Sequence, residues 1–443
     1  MEYMGMECTG TGHMEMKHTE MECTEMEHAG MEGKIRTPDE VYGAQGQRAE
    51  ERIQHLLTMF HDSFPGGNPR LFSAPGRTEI IGNHVDHNGG RILAASITLD
   101  TICAAEKTDD KTIVILSEGY QPIQVELEAL SSVPKESGSI SLVAGLAEAA
   151  QHFGYRIGGF RAVVTTEVIA AAGVSSSASF EMLLCAVIDH LYNGGAIDYA
   201  HYARMGQYAE NRWWNKASGL MDQMACAVGG TILLDFSEGV RYESVDFSFD
   251  RLDMDLFIVN TGKGHADLSA EYSSIPHEMH EVAKALGVKQ LSDSNEETLL
   301  SAIPSLRKTL KNDRAILRAL HYYEECRRVD EAVEALRRGQ TDRVLSLINA
   351  GGASSLMWLQ NGYCCETPGE QSVPLMLALS ERYIRSCGSG ACRLHGGGFA
   401  GVIMAVLPRA ERKRFFNYIA AYAGKENVYV MGIRGAGAVE LSV

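Results

Sequence analysis

The sequence predicts a chain of two α+β domains. Three observations carry that expectation. At 443 residues the chain is longer than one hydrophobic core usually serves. Its first half holds short strands over 102–127, then a strand, a small-residue loop and a buried helix over 160–191. Its second half is a series of helices closed by a strand–helix–strand unit over 402–443. The expected boundaries are an extension at 1–34, a first domain at 35–235 and a second at 236–443.

Composition narrows the function classes. Hydrophobic content of 45% is ordinary for a globular protein, and no apolar run reaches the length that spans a bilayer. No charged-then-apolar signal segment opens the chain, so a cytoplasmic protein is expected. A net charge of -17 argues against nucleic acid and anionic membranes as main partners. An acidic protein that handles phosphates must therefore concentrate its positive groups locally. None of the ten cysteines forms a Cys-x-x-Cys pair, and Cys103, Cys185 and Cys226 sit in apolar runs. Buried free thiols in a reducing compartment account for them. Cys387 and Cys392 lack a matching second pair, which argues against zinc.

Residues 1–34 alternate Met, Glu, Thr, His, Cys and Gly with almost no aliphatic residues. Such a segment cannot bury enough apolar surface to offset its ordering, and a disordered extension is expected. Translation starting at Met31 is one alternative, and a soft-metal tether is another. From 38 to 64 an amphipathic helix is expected, with Ile53, Leu56, Leu57 and Phe60 on one face and Pro65-Gly66-Gly67 ending it. The stretch Ser73 to Gly90 is dense in Arg, Asn, His and Asp. Polar side chains at that density need partners, which solvent or a polyhydroxylated ligand would supply. Strands over 102–107, 113–117 and 123–127 read as a meander, and 140–153 as a helix.

The central feature is the loop from Ala170 to Glu181. The strand before it alternates Val, Ala and Thr, and an apolar helix follows it. A helix start leaves four N–H groups without partners and carries partial positive charge. Gly173, Val174, Ser175, Ser176, Ser177, Ala178 and Ser179 thus form an anion site suited to phosphate, or the serines are simply caps. No Gly-Lys-Ser or Gly-Lys-Thr follows, so this is not a P-loop.

Glu210 lies near the end of a helix over 198–214. Asp222 sits in a small, apolar segment where an unpartnered carboxylate is costly. It either has a role or caps a helix over 223–228. Strands are expected near 231–235, 245 and 256–260, with helices over 276–286, 313–338, 341–348 and 372–387. Arg393 to His395 lead into the glycine run Gly396 to Gly401, which alone is a weak nucleotide-loop signal.

Together these stretches are far more specific. Ser73 to Gly90, Gly173 to Glu181 and Gly396 to Gly401 resemble, in order, the three motifs of the GHMP small-molecule kinases. The first is similar to the galactokinase signature, with Arg77, then Gly82-x-His84-x-Asp86, then Asn88-Gly89-Gly90. Met221-Asp222-Gln223 is similar to that group's catalytic segment, and the resemblance runs from about residue 71 to the C-terminus.

The resemblance implies a ribosomal-protein-S5-like first domain and a ferredoxin-like second one, with the active site in the cleft between them. It implies ATP and Mg²⁺ as cofactors and galactose as acceptor, phosphorylated at its anomeric hydroxyl. Asp222 would take the proton of that hydroxyl, and Arg77 would hold the carboxylate and the transferring phosphoryl. Ser177 and Glu210 would coordinate Mg²⁺. Asn83, His84, Asp86, Gly219 and Tyr272 would contact the sugar. An arginine beside Asp222 makes it a weaker base, so its role would be orientation and late proton acceptance.

Four features depart from the pattern. Asn83 stands where galactokinases usually carry a glutamate that contacts the sugar, and His87 replaces a tyrosine. Tyr272 is followed by Ser-Ser-Ile-Pro where the family has an arginine run, and 139–145, near the expected adenine wall, lacks aromatic residues. A kinase for N-acetylgalactosamine or arabinose, or a non-catalytic sugar sensor, is the alternative. A monomer is expected.

Overall fold

The computed structural model describes residues 34–169, 173–215, 218–262, 268–399 and 401–442. Apart from Lys34, the extension expected at 1–34 lies outside these residues, as do the start at Met31 and the soft-metal tether. So do Ala170 to Ala172 of the central loop.

The described chain opens with β1 (Ile35–Arg36), α1 (Pro38–Tyr42) and α2 (Gly46–Ser63). Periodicity predicts one helix here, but Gly43 at φ 48° breaks it in two. Ile53, Leu56 and Phe60 are buried, and Leu57 is half-buried. Next come β2 (Arg70–Ile81), β3 (Arg91–Lys107), β4 (Thr112–Ser117), β5 (Ile123–Glu126), α3 (Ser139–His152) and β6 (Phe160–Thr166). After these come α4 (Ser176–Ile188), α5 (Tyr199–Trp213), α6 (Met221–Val228), β7 (Thr231–Asp235) and β8 (Arg241–Val245).

These strands do not form the expected meander. The sheet order is β2-β3-β6-β4-β5, so β6 inserts between β3 and β4 and runs parallel to β4. The pairing is set by packing across the sheet, which sequence proximity does not encode. β3 is a single 17-residue strand that extends the expected 102–107 segment back to Arg91. It pairs with β2 along most of its length, with β7 through 91–95 and with β6 through 101–107. The β2–β3 register shifts between Pro75 and Arg77 and again between Glu79 and Ile81. Such bulges re-aim side chains, and Arg77 and Glu79 both line the cleft described below.

The second half continues with β9 (Met254–Asn260), α7 (Ser269–Ala285), α8 (Glu296–Thr309), α9 (Asp313–Arg337), α10 (Thr341–Ser354) and α11 (Ser372–Cys387). It ends with β10 (Ala391–His395), β11 (Val402–Pro408), α12 (Arg412–Ala423), β12 (Val428–Met431) and β13 (Val439–Leu441). A second, antiparallel sheet has the order β10-β11-β9-β12, so β9 separates the two strands joined by α12. The first sheet does not stop at residue 235. β8 pairs with β7, and β13 returns to lie between β1 and β2.

One apolar cluster joins the sheets. Ile80, Ile81 and Leu93 of the first meet Leu256, Ile258 and Met404 of the second, with Val329, Val333 and Ile348 from α9 and α10. Burying such side chains contributes about 1.5–3 kcal/mol each. The end of β2 is thereby held against the second sheet, and the cleft forms at that seam. Among the described residues no helix is long and apolar enough to cross a membrane.

Candidate active site

Four segments converge at the seam: the end of β2 with its following turn, the loop entering α4, the start of α6, and the glycine turn after β10. At this seam lies a cleft of about 190 Å³ whose walls include Arg77, Asn83, His84, Asp86, Gly219 and Asp222.

Arg77 and Asp222 meet side by side. Arg77 Nε donates to Asp222 Oδ1 at 2.8 Å and Nη2 to Oδ2 at 2.9 Å. The third nitrogen, Nη1, donates to the carbonyl of Gly173, and the Ser175 hydroxyl donates to Asp222 Oδ2. A planar, two-bonded pair fixes orientation as well as charge. Asp222 lies inside the first turn of α6, whose N-cap position is Leu220, so it is not the residue that caps the helix. Its carboxylate is held by Arg77 and Ser175.

The loop entering α4 is tied to β2, since the Arg77 amide donates to the Val174 carbonyl at 3.1 Å. Ser175 adopts left-handed angles, φ 59° and ψ 60°, which cost energy in a residue other than glycine. Its side chain caps nothing, so the capping reading fails at this serine. The first N–H groups of α4, at Ser176, Ser177 and Ala178, have no upstream helical carbonyl to bond. Ser179 is a correction to the expected phosphate loop. Its N–H bonds Ser175 within the helix, and its buried hydroxyl donates to the Ala74 carbonyl and contacts Thr101. Its helical position turns it into the core. Val174 is likewise a fully buried core side chain, present at the loop for packing.

Behind the loop, the Ser177 hydroxyl donates to Glu210 Oε1 at 3.1 Å. Gln223 Nε2 donates to Glu210 Oε2 at 3.2 Å and to Glu181 Oε2 at 3.1 Å. Ser177 and Glu210 thus come together as hard oxygen donors, which suits Mg²⁺. No group of three or more His, Cys, Asp or Glu among the described residues forms a metal cage.

The opposite wall holds the residues expected to contact a sugar. His84, at φ 57°, donates from Nε2 to the Gly397 carbonyl at 2.9 Å, which assigns the proton to that nitrogen. Burial pulls its pKa down to about 4, so the ring is neutral at physiological pH. A Cβ on Gly219 would run into Asp86 Oδ2, so a side chain at 219 would make that carboxylate shift. Tyr272 sits behind the wall. Its ring packs where a Cβ of Gly397 would lie, and its hydroxyl donates to the Gly398 carbonyl at 3.0 Å.

Asn83 is 1% exposed and its amide is spent on the protein. Nδ2 donates to Glu79 Oε1 at 3.1 Å and to the Gly396 carbonyl at 2.8 Å, while Oδ1 accepts from Asn361 Nδ2 at 2.9 Å. The side chain expected to reach the sugar lines the cleft with its amide bonded to Glu79, Gly396 and Asn361.

Several residues that sequence reading passes over hold this wall. Glu79 lines the cleft and pairs with Arg393, whose side chain is fully buried. Burial pushes the Glu79 carboxyl up, and Arg393 and Arg77 oppose that. Glu325 on α9 accepts from the backbone N–H groups of Gly82 and Asn83, and His321 contacts the Asn83 carbonyl at 2.9 Å. None carries a local signal, because each partner lies far along the chain.

The family model described as the galactokinase galactose-binding signature matches residues 58–107. The model for the GHMP kinases N terminal domain matches 141–230. A galactokinase from Lactococcus lactis subsp. lactis is 30% identical over 342 residues, 76% of this chain and 82% of that protein. One from Clostridium tetani is 25% identical over 375 residues, covering 83% and 91%. Among solved structures, Lactococcus lactis galactokinase complexed with galactose superimposes with a TM-score of 0.76 at 26% identity, covering 88% of this chain and all of that one. Methanococcus jannaschii mevalonate kinase shares the fold, with a TM-score of 0.58 at 15% identity over 84% of this chain.

Proposed function

The chain belongs to the galactokinases of the GHMP kinase family, and on that footing we propose that it transfers the γ-phosphoryl group of ATP to the anomeric hydroxyl of galactose, giving α-D-galactose 1-phosphate and ADP. The observation that carries the reading is the Arg77–Asp222 pair, which lines the cleft and is bonded through Gly173 and Ser175 to the loop that starts α4.

In this reading the sugar lies against His84, Asp86 and Gly219 with its anomeric hydroxyl at Asp222. The bond from the anomeric oxygen to the γ-phosphorus forms as the bond from that phosphorus to the β,γ-bridging oxygen breaks. The hydroxyl proton passes to the Asp222 carboxylate. Arg77 and the Ser175 hydroxyl already orient that carboxylate, so it acts as a positioned, late acceptor. Phosphoryl transfer asks mainly for alignment and charge neutralisation. The N–H groups of Ser176, Ser177 and Ala178 supply fixed positive dipoles to the phosphates, and Arg77 adds a cation. Ser177 and Glu210 would hold Mg²⁺, which when bound neutralises phosphate charge. We take the enzyme to be a cytoplasmic monomer.

One observation favours a second reading within the class. With Asn83 in place of the usual glutamate, the preferred sugar could be N-acetylgalactosamine or arabinose. A coupled ADP-release assay with Mg²⁺-ATP across these sugars, galactose and glucose decides. Selective turnover of galactose is expected. Turnover of another sugar moves the substrate, and no turnover by folded, ATP-binding protein favours a sensor.

A further inference from the structure

The acceptor capacity missing at position 83 is present four residues earlier. Glu79 is 3% exposed, on the bulged end of β2, and its side chain lines the cleft. Its Oε1 accepts from Arg393 Nη2 and from Asn83 Nδ2. Its Oε2 receives, among the described residues, one long bond of 3.4 Å from the same Asn83 nitrogen. That oxygen keeps lone pairs to offer. Asn83 has nothing comparable, because its two N–H bonds reach Glu79 and Gly396 and its oxygen is held by Asn361 and Ser355.

Arg393 fixes the carboxylate in place. Its side chain is fully buried, and its other nitrogens donate to the carbonyls of Leu394 and Ile80 at 3.0 Å each. A buried guanidinium with every arm engaged cannot follow a carboxylate that moves. Glu79 is therefore a rigid acceptor beside the occupied amide of Asn83 in the cleft wall.

We infer that Glu79, and not Asn83, is the carboxylate that accepts a hydrogen bond from a hydroxyl of the bound sugar, and so helps set which sugar is taken. The inference rests on the reading of the cleft as the sugar site of a kinase. An acceptor-only group demands an O–H at one position and rejects an analogue that lacks it. The buried oxygen is then left without a donor, which is why such sites discriminate strongly.

The test is a matrix of galactose and its monodeoxy analogues against wild type, Glu79→Gln, and the exchange variant carrying Glu79→Asn with Asn83→Glu. KM and kcat are measured for each sugar, and KM for ATP serves as control. Wild type should lose about tenfold or more in kcat/KM for one analogue. Glu79→Gln should lose a similar factor with galactose, no longer distinguish that analogue, and keep its KM for ATP. A merely structural role would weaken all sugars alike and leave the discrimination intact, which would overturn the inference. Should Glu79→Gln fail to fold because Arg393 loses its partner, the exchange variant is read, since it keeps one carboxylate and one amide in contact. Its discrimination should move to a different hydroxyl, and an unchanged pattern would likewise overturn the inference. Wild type that phosphorylates none of the sugars overturns the kinase reading and this one with it. Error in the Glu79 assignment alone leaves wild-type turnover of galactose intact.

Discussion

Arg77 and Asp222 stand 145 positions apart in the chain and meet through two parallel hydrogen bonds of 2.8 and 2.9 Å. The arrangement makes the pair a unit: Asp222 is aimed by Arg77, and Arg77 is 6% exposed with Asp222 as its counter-charge. Asp222→Asn should lower kcat about 10²–10⁴-fold with ATP affinity kept. Arg77→Lys replaces a two-pronged contact with a point charge and should lower kcat about 10²-fold or more. Single-turnover rates and ATP titrations check both. Near-normal turnover of Asp222→Asn would remove the residue from the chemistry.

Ser177 and Glu210 should act together on the metal dependence. Ser177→Ala and Glu210→Gln each remove one hard oxygen donor or its charge. The Mg²⁺ concentration giving half-maximal rate should rise about tenfold in each, while the KM for sugar stays near wild type. A metal dependence unmoved in both variants would put the cation elsewhere.

Local features were legible in the sequence, and long-range pairings were not. The strand, small-residue loop and helix around Gly173 emerged because β propensity, glycine and an apolar run lie within thirty residues. The same reading placed Ser179 with the phosphates, since composition shows a serine but not which helical face it occupies. Asp222 was conspicuous as a carboxylate among apolar neighbours, the family resemblance implied Arg77 as its partner, and the fold adds Ser175. The insertion of β6 between β3 and β4 and the split of the first helix at Gly43 were missed for related reasons. Strand order is decided by tertiary packing, and one left-handed residue outweighs a good helical pattern. Asn83 was recognised as a departure, yet its compensation by Glu79 was invisible, because the Arg393 that locates Glu79 is 314 positions away.

Gly219 permits the approach of Asp86 to the start of α6. Gly219→Ala should push Asp86 away from the cleft and raise the KM for sugar by about tenfold, with a smaller effect on the KM for ATP. The two substrates are thus expected to respond separately, and initial-rate kinetics with each varied in turn resolve them. Equal effects on both would indicate general disruption of the cleft.

Glu325 links the stability of the fold to the sugar wall and gives a pH signature. It is fully buried, accepts from the amides of Gly82 and Asn83, and pairs with Arg328. Burial pushes its carboxyl up, but its interactions with His321, Arg328 and Arg393 more than reverse this, bringing it from 4.5 down to about 2. A carboxyl whose folded value is depressed stabilises the fold above its unfolded value, and the contribution is lost as pH falls through the window between the two. Here that window runs from 4.5 down to about 2, and the contribution at neutral pH is on the order of 3 kcal/mol. Glu325→Gln should therefore be less stable than wild type by that order at pH 7, and the gap should narrow steadily as the solution is acidified through the window. Denaturant melts of both proteins across that range measure it. A gap that stays constant with pH would mean that Glu325 acts through packing and neutral hydrogen bonds, without its charge.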